Sequence, residues 1–280
     1  MIPFEGSEVK TIQIKLSYTG GDADMHRLDM YDASMSLHGF ARAIAITAHA
    51  LLNDGEVKRK GNRANGAKVY VSPPQKGSYE QVLTLVIENA DAIGVSVVAA
   101  AFWDILKWTW SKTLDLVYEP ETPTVKKLGE RVEPFIGDIE EVLESALEEA
   151  HRPIKNCEQM SISVSRPRVG EVIKMNSETL KSVSISTDNT VISGIVGNAT
   201  KYNILSGIGR FYEDDRERTV SFKIPEGAAA NVGQTITWSM HHAQSGIGEG
   251  KIELQARRVV SAKGTLKRYI VDQVTVHNAS

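Results

Sequence analysis

Cysteine is nearly absent from this sequence, and so is any strong excess of one charge. The single cysteine, Cys157, excludes an intramolecular disulfide and a cysteine-rich metal site. A formal net charge of -3 at pH 7 gives no general attraction to nucleic acid or anionic membranes, so binding of either would need a local basic patch. The first residues, MIPFEGSEVK, lack the basic and apolar regions of a secretory signal. These absences predict a cytoplasmic protein of bacteria or their phages.

One stretch, Ala92–Trp110, is far more apolar than the rest of the chain. Its length suits a buried helix and lies at the lower edge of what crosses a bilayer. Two roles are therefore considered for its large side chains: the core or an oligomer interface of a helix-rich domain, or the membrane-facing side of a segment, Ala92–Leu114, that inserts when triggered. The side chains concerned are Val97, Phe102, Trp103, Trp108 and Trp110. Asp104 and Lys107, three apart on a helix, are predicted to form a surface ion pair.

Around this stretch, residues 1–155 are predicted to form a helix-rich α+β domain. Apolar residues alternate in Thr11–Tyr18, which is typical of a half-buried strand, and recur at three-and-four spacing between Met25 and Asn53, which predicts a helix. The remaining predicted elements are a short strand at Lys68–Val71, a helix from Tyr79 to about Asn89, and a helix at Thr124–Ala150 with a kink or break at Pro134.

The second half of the chain has a different sequence pattern from the first. Residues 156–187 are predicted to be a connector that contains a strand at Met160–Ser165 and one helical turn capped by Asn176. Residues 188–280 are predicted to form a small all-β barrel of five or six strands, of the OB or SH3 type, because short β-rich segments alternate with glycine turns. One of those strands is placed at Gln234–Met240. The predicted fold class is therefore α+β.

The predicted barrel carries several basic and aromatic residues. Small barrels of the OB type bind bases through aromatic side chains and phosphates through arginine. The candidate anion-binding or nucleic-acid-binding residues are Arg210, Arg257, Arg258, Lys267 and Arg268. Asp214, Asp215 and Glu217 lie close to Arg210 in the sequence and weaken this interpretation.

A weak metal-site hypothesis concerns His26, Asp29 and Asp32, which follow one another at three-residue spacing. Carboxylates with one imidazole suit a divalent metal, but acidic residues at a helix start also stabilise the helix dipole without a metal. No catalytic motif is found, and no cofactor is predicted. His38, Arg42 and His49 lie on one helical face, and we expect them to pair with the glutamate-rich helix after Pro134.

Three runs, LSYTGGDADMHRLDMYDASMSLHGFARA, PPQKGSYEQVL and GKIELQARRVVSAKGTLKRYIV, resemble a family of uncharacterised bacterial and phage-associated proteins. The resemblance implies an α-rich N-terminal domain joined to a small C-terminal barrel, and an association with phage defence. It implies no activity and no functional residues.

These observations lead to one main hypothesis and two alternatives. The main hypothesis is a non-enzymatic interaction or assembly protein that binds a protein partner or itself as a homo-oligomer. The first alternative is a membrane-active effector that inserts Ala92–Leu114. The second is an OB-like binder of nucleic acid or a nucleotide.

Overall fold

The computed structural model describes residues 10–58, 63–72, 79–88, 95–130, 135–228, 230–246 and 248–277. The fold is α+β, as predicted, and the chain divides into two units. The first unit contains the described residues of 10–130 and 139–184. The second, here called the barrel unit, contains those of 135–138 and 185–277.

A five-stranded antiparallel sheet forms one layer of the first unit. Its strands are β1 (Lys10–Thr19), β2 (Ala67–Val71), β3 (Glu80–Ile87), β4 (Ser161–Arg166) and β5 (Gly170–Met175), in the order β2-β3-β1-β4-β5. In β1 the predicted alternation is confirmed, since Ile12, Ile14, Leu16 and Tyr18 are all buried. The residues predicted as a connector supply β4 and β5, so they are part of this sheet.

The prediction of a helix at Tyr79–Asn89 is wrong, because Glu80–Ile87 forms the strand β3. Its buried residues alternate strictly, at Gln81, Leu83, Leu85 and Ile87. The intervening positions also hold apolar residues such as Val82 and Val86, and this second apolar face hides the two-residue period in the sequence. Pairing with β1 on one side and β2 on the other decides the conformation.

The helices of the first unit match the predicted ones in part. They are α1 (Met30–Leu52), α2 (Val95–Thr113), α3 (Pro123–Gly129), α4 (Phe135–Ala150, whose first turn belongs to the barrel unit), α5 (Arg152–Asn156) and α6 (Ser177–Val183). Two helices, α3 and α4, lie where one was predicted at Thr124–Ala150, and Pro134, the predicted kink or break, lies outside the described residues. α1 begins later than predicted, after a 3-10 helix at Gly21–Met25, because the Asp29 carboxylate caps it by accepting the backbone N–H groups of Tyr31 and Asp32. The helical turn predicted after Asn176 is α6, and Asn176 caps it.

From Val95 onward the apolar stretch forms α2, and in this structure most of its large side chains belong to the core. Phe102, Trp103, Trp108 and Trp110 are all buried. Trp110 Nε1 donates a hydrogen bond to Thr47 Oγ1 at 3.0 Å, which connects α2 to α1. Val97, in contrast, is 49% exposed. Among the described residues, no helix combines the length and the apolar character needed to cross a membrane.

Asp104 does not form the predicted surface ion pair with Lys107. It is buried, and its carboxylate accepts hydrogen bonds from the backbone N–H of Glu121, from the backbone N–H and hydroxyl of Thr122, and from the Tyr118 hydroxyl. Lys107 Nζ instead lies 4.3 Å from the centre of the Tyr118 ring. Asp104 thus attaches the segment between α2 and α3 to α2.

α1 packs closely on the part of α4 that belongs to the same unit. A Cβ atom at Gly39 would lie 2.3 Å from the backbone nitrogen of Ala150, so only glycine permits this approach. Beside it, His38 Nδ1 and Arg42 Nη1 contact the Glu149 carboxylate at 3.0 and 2.8 Å, as predicted. His49 is the exception, because it is buried at the other end of α1.

His49 Nδ1 accepts the backbone N–H of Asn65 at 3.2 Å. Burial lowers the pKa of His49 below its ordinary value, so the neutral ring is the stable form at neutral pH. His49, the third residue expected to pair with α4, therefore orders the chain after α1 instead.

The barrel unit contains a closed five-stranded barrel. Its elements are β6 (Ile185–Asn203), β7 (Ile208–Glu213), β8 (Arg218–Lys223), the helix α7 (Ala230–His242), β9 (Ile252–Ser261) and β10 (Leu266–Val276). The order is β10-β8-β7-β6-β9, and antiparallel pairing of β9 with β10 closes the barrel. A three-stranded meander, a parallel β8–β10 pair and a helix between the third and fourth strands make up the topology of the OB fold, one of the two predicted types.

The barrel unit is not all-β, because the strand predicted at Gln234–Met240 is part of α7. Ile236, Trp238 and Met240 alternate with polar residues, which favours a strand locally. In the structure Val232, Ile236 and Ser239 are buried, at helical spacing. Ser239 Oγ also accepts a hydrogen bond from the backbone N–H of Ala199 and donates one to the Gly250 carbonyl. Contacts with the barrel therefore stabilise the helical conformation of this segment.

Candidate functional site

A groove of about 640 Å³ lies along α7 in the barrel unit. α7 has two faces: one packs into the barrel, and the opposite stripe forms a wall of the groove. The stripe consists of Gly233, Gln234, Thr237, Trp238, His241 and His242. The other wall consists of Tyr202 and Ile204 at the end of β6, and of Ile224, Pro225, Gly227 and Ala228 after β8. The lining is mainly apolar, which is typical of recognition sites.

Tyr202 is held rigidly in the wall of this groove. Its ring stacks on Phe222 of the barrel core, with centroids 6.1 Å apart and an interplanar angle of 21°. Its hydroxyl lies near Gly233, since a Cβ atom there would be 3.3 Å away. Burial raises the pKa of Tyr202 above its ordinary value, so the hydroxyl remains protonated and can donate a hydrogen bond at neutral pH.

Trp238 and His242 form a second aromatic surface on α7. Their ring centroids are 4.3 Å apart, with an interplanar angle of 31°. His242 Nδ1 lies 2.9 Å from the Trp238 carbonyl. Because a carbonyl oxygen only accepts, Nδ1 carries the proton, and the ring is fixed over the indole. The groove therefore has two preformed aromatic walls.

Two exposed apolar residues follow β6 at the edge of the groove. Ile204, which lines it, is 76% exposed, and Leu205 is 94% exposed. The turn that presents them is ordered by the Asn203 side chain, whose Oδ1 accepts the backbone N–H groups of Leu205 at 2.9 Å and Ser206 at 3.3 Å. An apolar groove thus lies beside an apolar projection on the same unit.

The residues predicted to bind nucleic acid are largely engaged within the barrel unit. Arg257 makes two hydrogen bonds to the Asp272 carboxylate, at 3.0 and 2.8 Å, and Arg258 contacts Asp188 at 2.9 Å. Arg210 donates to the Ser221 hydroxyl at 2.9 Å. Arg268 is buried, and Lys267 lies beside it in β10. The structure therefore does not gather these five residues into one free basic surface.

The three metal candidates have structural roles. Asp29 caps α1, and the Asp32 carboxylate accepts hydrogen bonds from Arg152 Nε at 3.1 Å and Asn156 Nδ2 at 2.7 Å. His26 ends the 3-10 helix in the left-handed conformation. Within the described ranges, no group of three or more His, Cys, Asp or Glu side chains is arranged to hold a metal ion.

The candidates for an interface or membrane-facing role lie in the first unit. Phe102, Trp103, Trp108 and Trp110 are buried, so such a role would require α2 to be uncovered, whereas Val97 is already exposed. The groove along α7 was not predicted. The available signal was the pair Tyr202 and Trp238 flanking glycine-rich turns, but reading α7 as a strand placed its residues on the wrong faces.

Two family models match this chain. A model described as "Domain of unknown function (DUF7946)" matches residues 14–184, more than half of the chain. The chain belongs to this family. A second model, "Family of unknown function (DUF7947)", matches residues 193–275, within the barrel unit. The resemblance to an uncharacterised family is thereby confirmed. Comparison with curated proteins and with solved structures found no match.

Proposed function

We propose that this protein is a non-enzymatic interaction protein, and that the groove along α7 is where its barrel unit binds a protein partner. The supporting observation is an open, mainly apolar groove with the rigid rings of Tyr202 and Trp238 in its walls. Fixed aromatic side chains are favourable binding surfaces because they bury a large area and lose little conformational entropy.

The chemistry of the groove selects an apolar segment as its occupant. Among the described residues, no carboxylate, lysine or arginine lines it, so a highly charged ligand would lose its hydration without gaining an ion pair there. The hydrogen-bonding groups there, at Tyr202, Gln234 and Thr237, can orient a peptide backbone.

A second copy of this chain is the partner that the structure supports most directly. Leu205 projects into solvent beside the groove, and in a two-fold arrangement each copy can insert it into the groove of the other. Burial of one leucine side chain is worth about 1.5–3 kcal/mol, and a two-fold dimer gains this twice. The homo-oligomer expected from the sequence would then be formed through the barrel units.

This proposal predicts self-association that depends on the groove. The mass of the full chain, measured by light scattering over a range of concentrations, should rise from monomer to dimer. Leu205→Glu, which charges the projection, and Thr237→Arg, which fills the groove from α7, should each weaken the dimer by at least about tenfold. Both positions are exposed, so the fold should be retained.

Val117→Glu is the matched control, because Val117 is 99% exposed and belongs to the first unit. It should leave the mass unchanged. A chain that stays monomeric at every concentration, or a dimer that both groove variants leave intact, would contradict self-docking through this groove.

A second candidate function is nucleic-acid binding, which the OB topology of the barrel favours. It would be weak and strongly salt-dependent, because Arg257 and Arg258 already pair with carboxylates. Anisotropy of a labelled single-stranded oligonucleotide, measured at low and at physiological salt, should show binding only at low salt. Charge reversal at Lys267 and Arg257 should abolish it, and tight binding at physiological salt that survives both changes would contradict this role for the two residues.

A further inference from the structure

A cavity of about 370 Å³ lies in the first unit, beside the turn that joins β4 to β5. Arg166, the last residue of β4, and Arg168, in the turn, line one side. Thr11 and Gln13 of β1 line another, and Trp103 of α2 borders the cavity on the core side. In the part of the chain that the structure describes, no carboxylate lines the cavity.

The local fold holds the two arginines in place. Strand alternation puts Arg166 on the same face of β4 as the buried residues Ile162 and Val164. The turn is closed by a hydrogen bond from the Val169 N–H to the Arg166 carbonyl at 3.1 Å, and Arg168 within it has a φ of +66°. Pro167 between them has its own φ fixed by its ring. Both side chains therefore start from a constrained backbone.

Neither guanidinium group has a partner within the described ranges: Arg166 and Arg168 form no ion pair and no side-chain hydrogen bond there. Other arginines of the chain are neutralised, for example Arg42 by Glu149 and Arg152 by Asp32. Two unpaired cations at one cavity repel each other, and an anion between them would remove this repulsion.

We propose that this cavity binds a phosphate-bearing small molecule. Arginine presents several N–H donors in a planar fork that matches a phosphate group. The side chains of Thr11 and Gln13 alternate with the buried Ile12 and Ile14 and therefore lie on the other face of the sheet, but the edge of β1 at these two residues borders the cavity and can offer backbone N–H donors. β4 pairs with β1 only from Lys15 onward, so beside Thr11 and Gln13 this edge of β1 is not covered by β4. Trp103 and Ala99 form the apolar wall against which the organic part of the ligand packs.

The test titrates the full chain with inorganic phosphate and with phenyl phosphate by calorimetry, in sodium chloride of matched ionic strength. Both should bind saturably, and phenyl phosphate should bind more tightly because its ring reaches the Trp103 wall. Arg166→Gln and Arg168→Gln should each reduce the affinity for both probes by at least about tenfold. Arg218→Gln, which removes an exposed arginine from the barrel unit, should leave the affinity unchanged.

Three results would overturn the proposal. One is the absence of saturable binding of either probe. Another is binding that the Arg166→Gln, Arg168→Gln double variant retains. The third is equal affinity for the two probes, which would remove the assignment of an organic ligand. Circular dichroism of each variant shows whether it is folded, and since both arginines are exposed, loss of binding then reports on the cavity itself.

Discussion

Replacement of Asp104 by alanine should lower the free energy of unfolding of the first unit by about 3 kcal/mol. The carboxylate is buried and accepts the backbone N–H groups of Glu121 and Thr122 as well as two hydroxyl groups. Burial by itself would raise its pKa, but the hydrogen bonds from Thr122, Glu121 and Tyr118 outweigh this and hold the pKa below the usual range. Alanine would leave these donors without an acceptor.

The measurement is urea unfolding followed by tryptophan fluorescence in a Trp238→Phe background, where the remaining tryptophans all belong to the first unit. Glu119→Ala is the control, because it removes an exposed carboxylate that pairs with Lys112 and should cost less than about 1 kcal/mol. Equal effects of the two substitutions would show that Asp104 does not hold the segment between α2 and α3.

The second large effect is a loss of stability in mild acid caused by His151. This side chain is fully buried; its Nδ1 donates to the Leu147 carbonyl at 2.6 Å, and Nε2 lies 2.8 Å from the Thr179 hydroxyl. Burial lowers the pKa of His151 to about 4, although the hydrogen bond to Leu147 favours the protonated ring. The unfolded chain, with a pKa near 6.5, binds the proton first.

Because the pKa is lower in the folded state, the contribution of His151 is fully present above pH of about 6.5 and is lost as the pH falls towards 4. We expect the free energy of unfolding to fall by about 2.5 kcal/mol between pH 7.5 and 4.5 through this residue alone. Urea unfolding at a series of pH values measures the decrease, and His151→Gln should remove this part of the pH dependence.

Buried His49 and the carboxylates contribute to acid sensitivity in every variant, so the informative quantity is the difference between the wild-type and variant profiles. A His151→Gln profile parallel to that of the wild type would show that the pKa of His151 is the same in the folded and unfolded states, and would contradict this prediction.

Some residues of the candidate sites could be predicted from the sequence, but their partners and surroundings could not. The basic residues of β9 and β10 could be located, but not their neutralisation, since Asp188 and Asp272 reach Arg258 and Arg257 only through strand pairing. The groove along α7 was not predicted, because the prediction of a strand at Gln234–Met240 placed the residues of α7 on the wrong faces. The position of Arg166 and Arg168 beside Trp103, without a partner in the described ranges, could not be predicted because β4 and α2 are distant in the chain.

The sequence by itself determined those elements whose pattern is local. The alternation in β1, the Asn176 cap of α6 and the apolar run of α2 each have the predicted conformation, because propensity, capping and burial agree there. The composition likewise excluded an intramolecular disulfide, since there is one cysteine.

The conformations of β3 and α7 are determined only by the tertiary structure, because the local sequence pattern of each segment fits a helix and a strand about equally well. β3 is a strand because β1 and β2 pair with its two edges. α7 is a helix because Val232, Ile236 and Ser239 meet the barrel at helical spacing. When local preferences are nearly balanced, the burial of apolar side chains against neighbours distant in sequence determines the conformation.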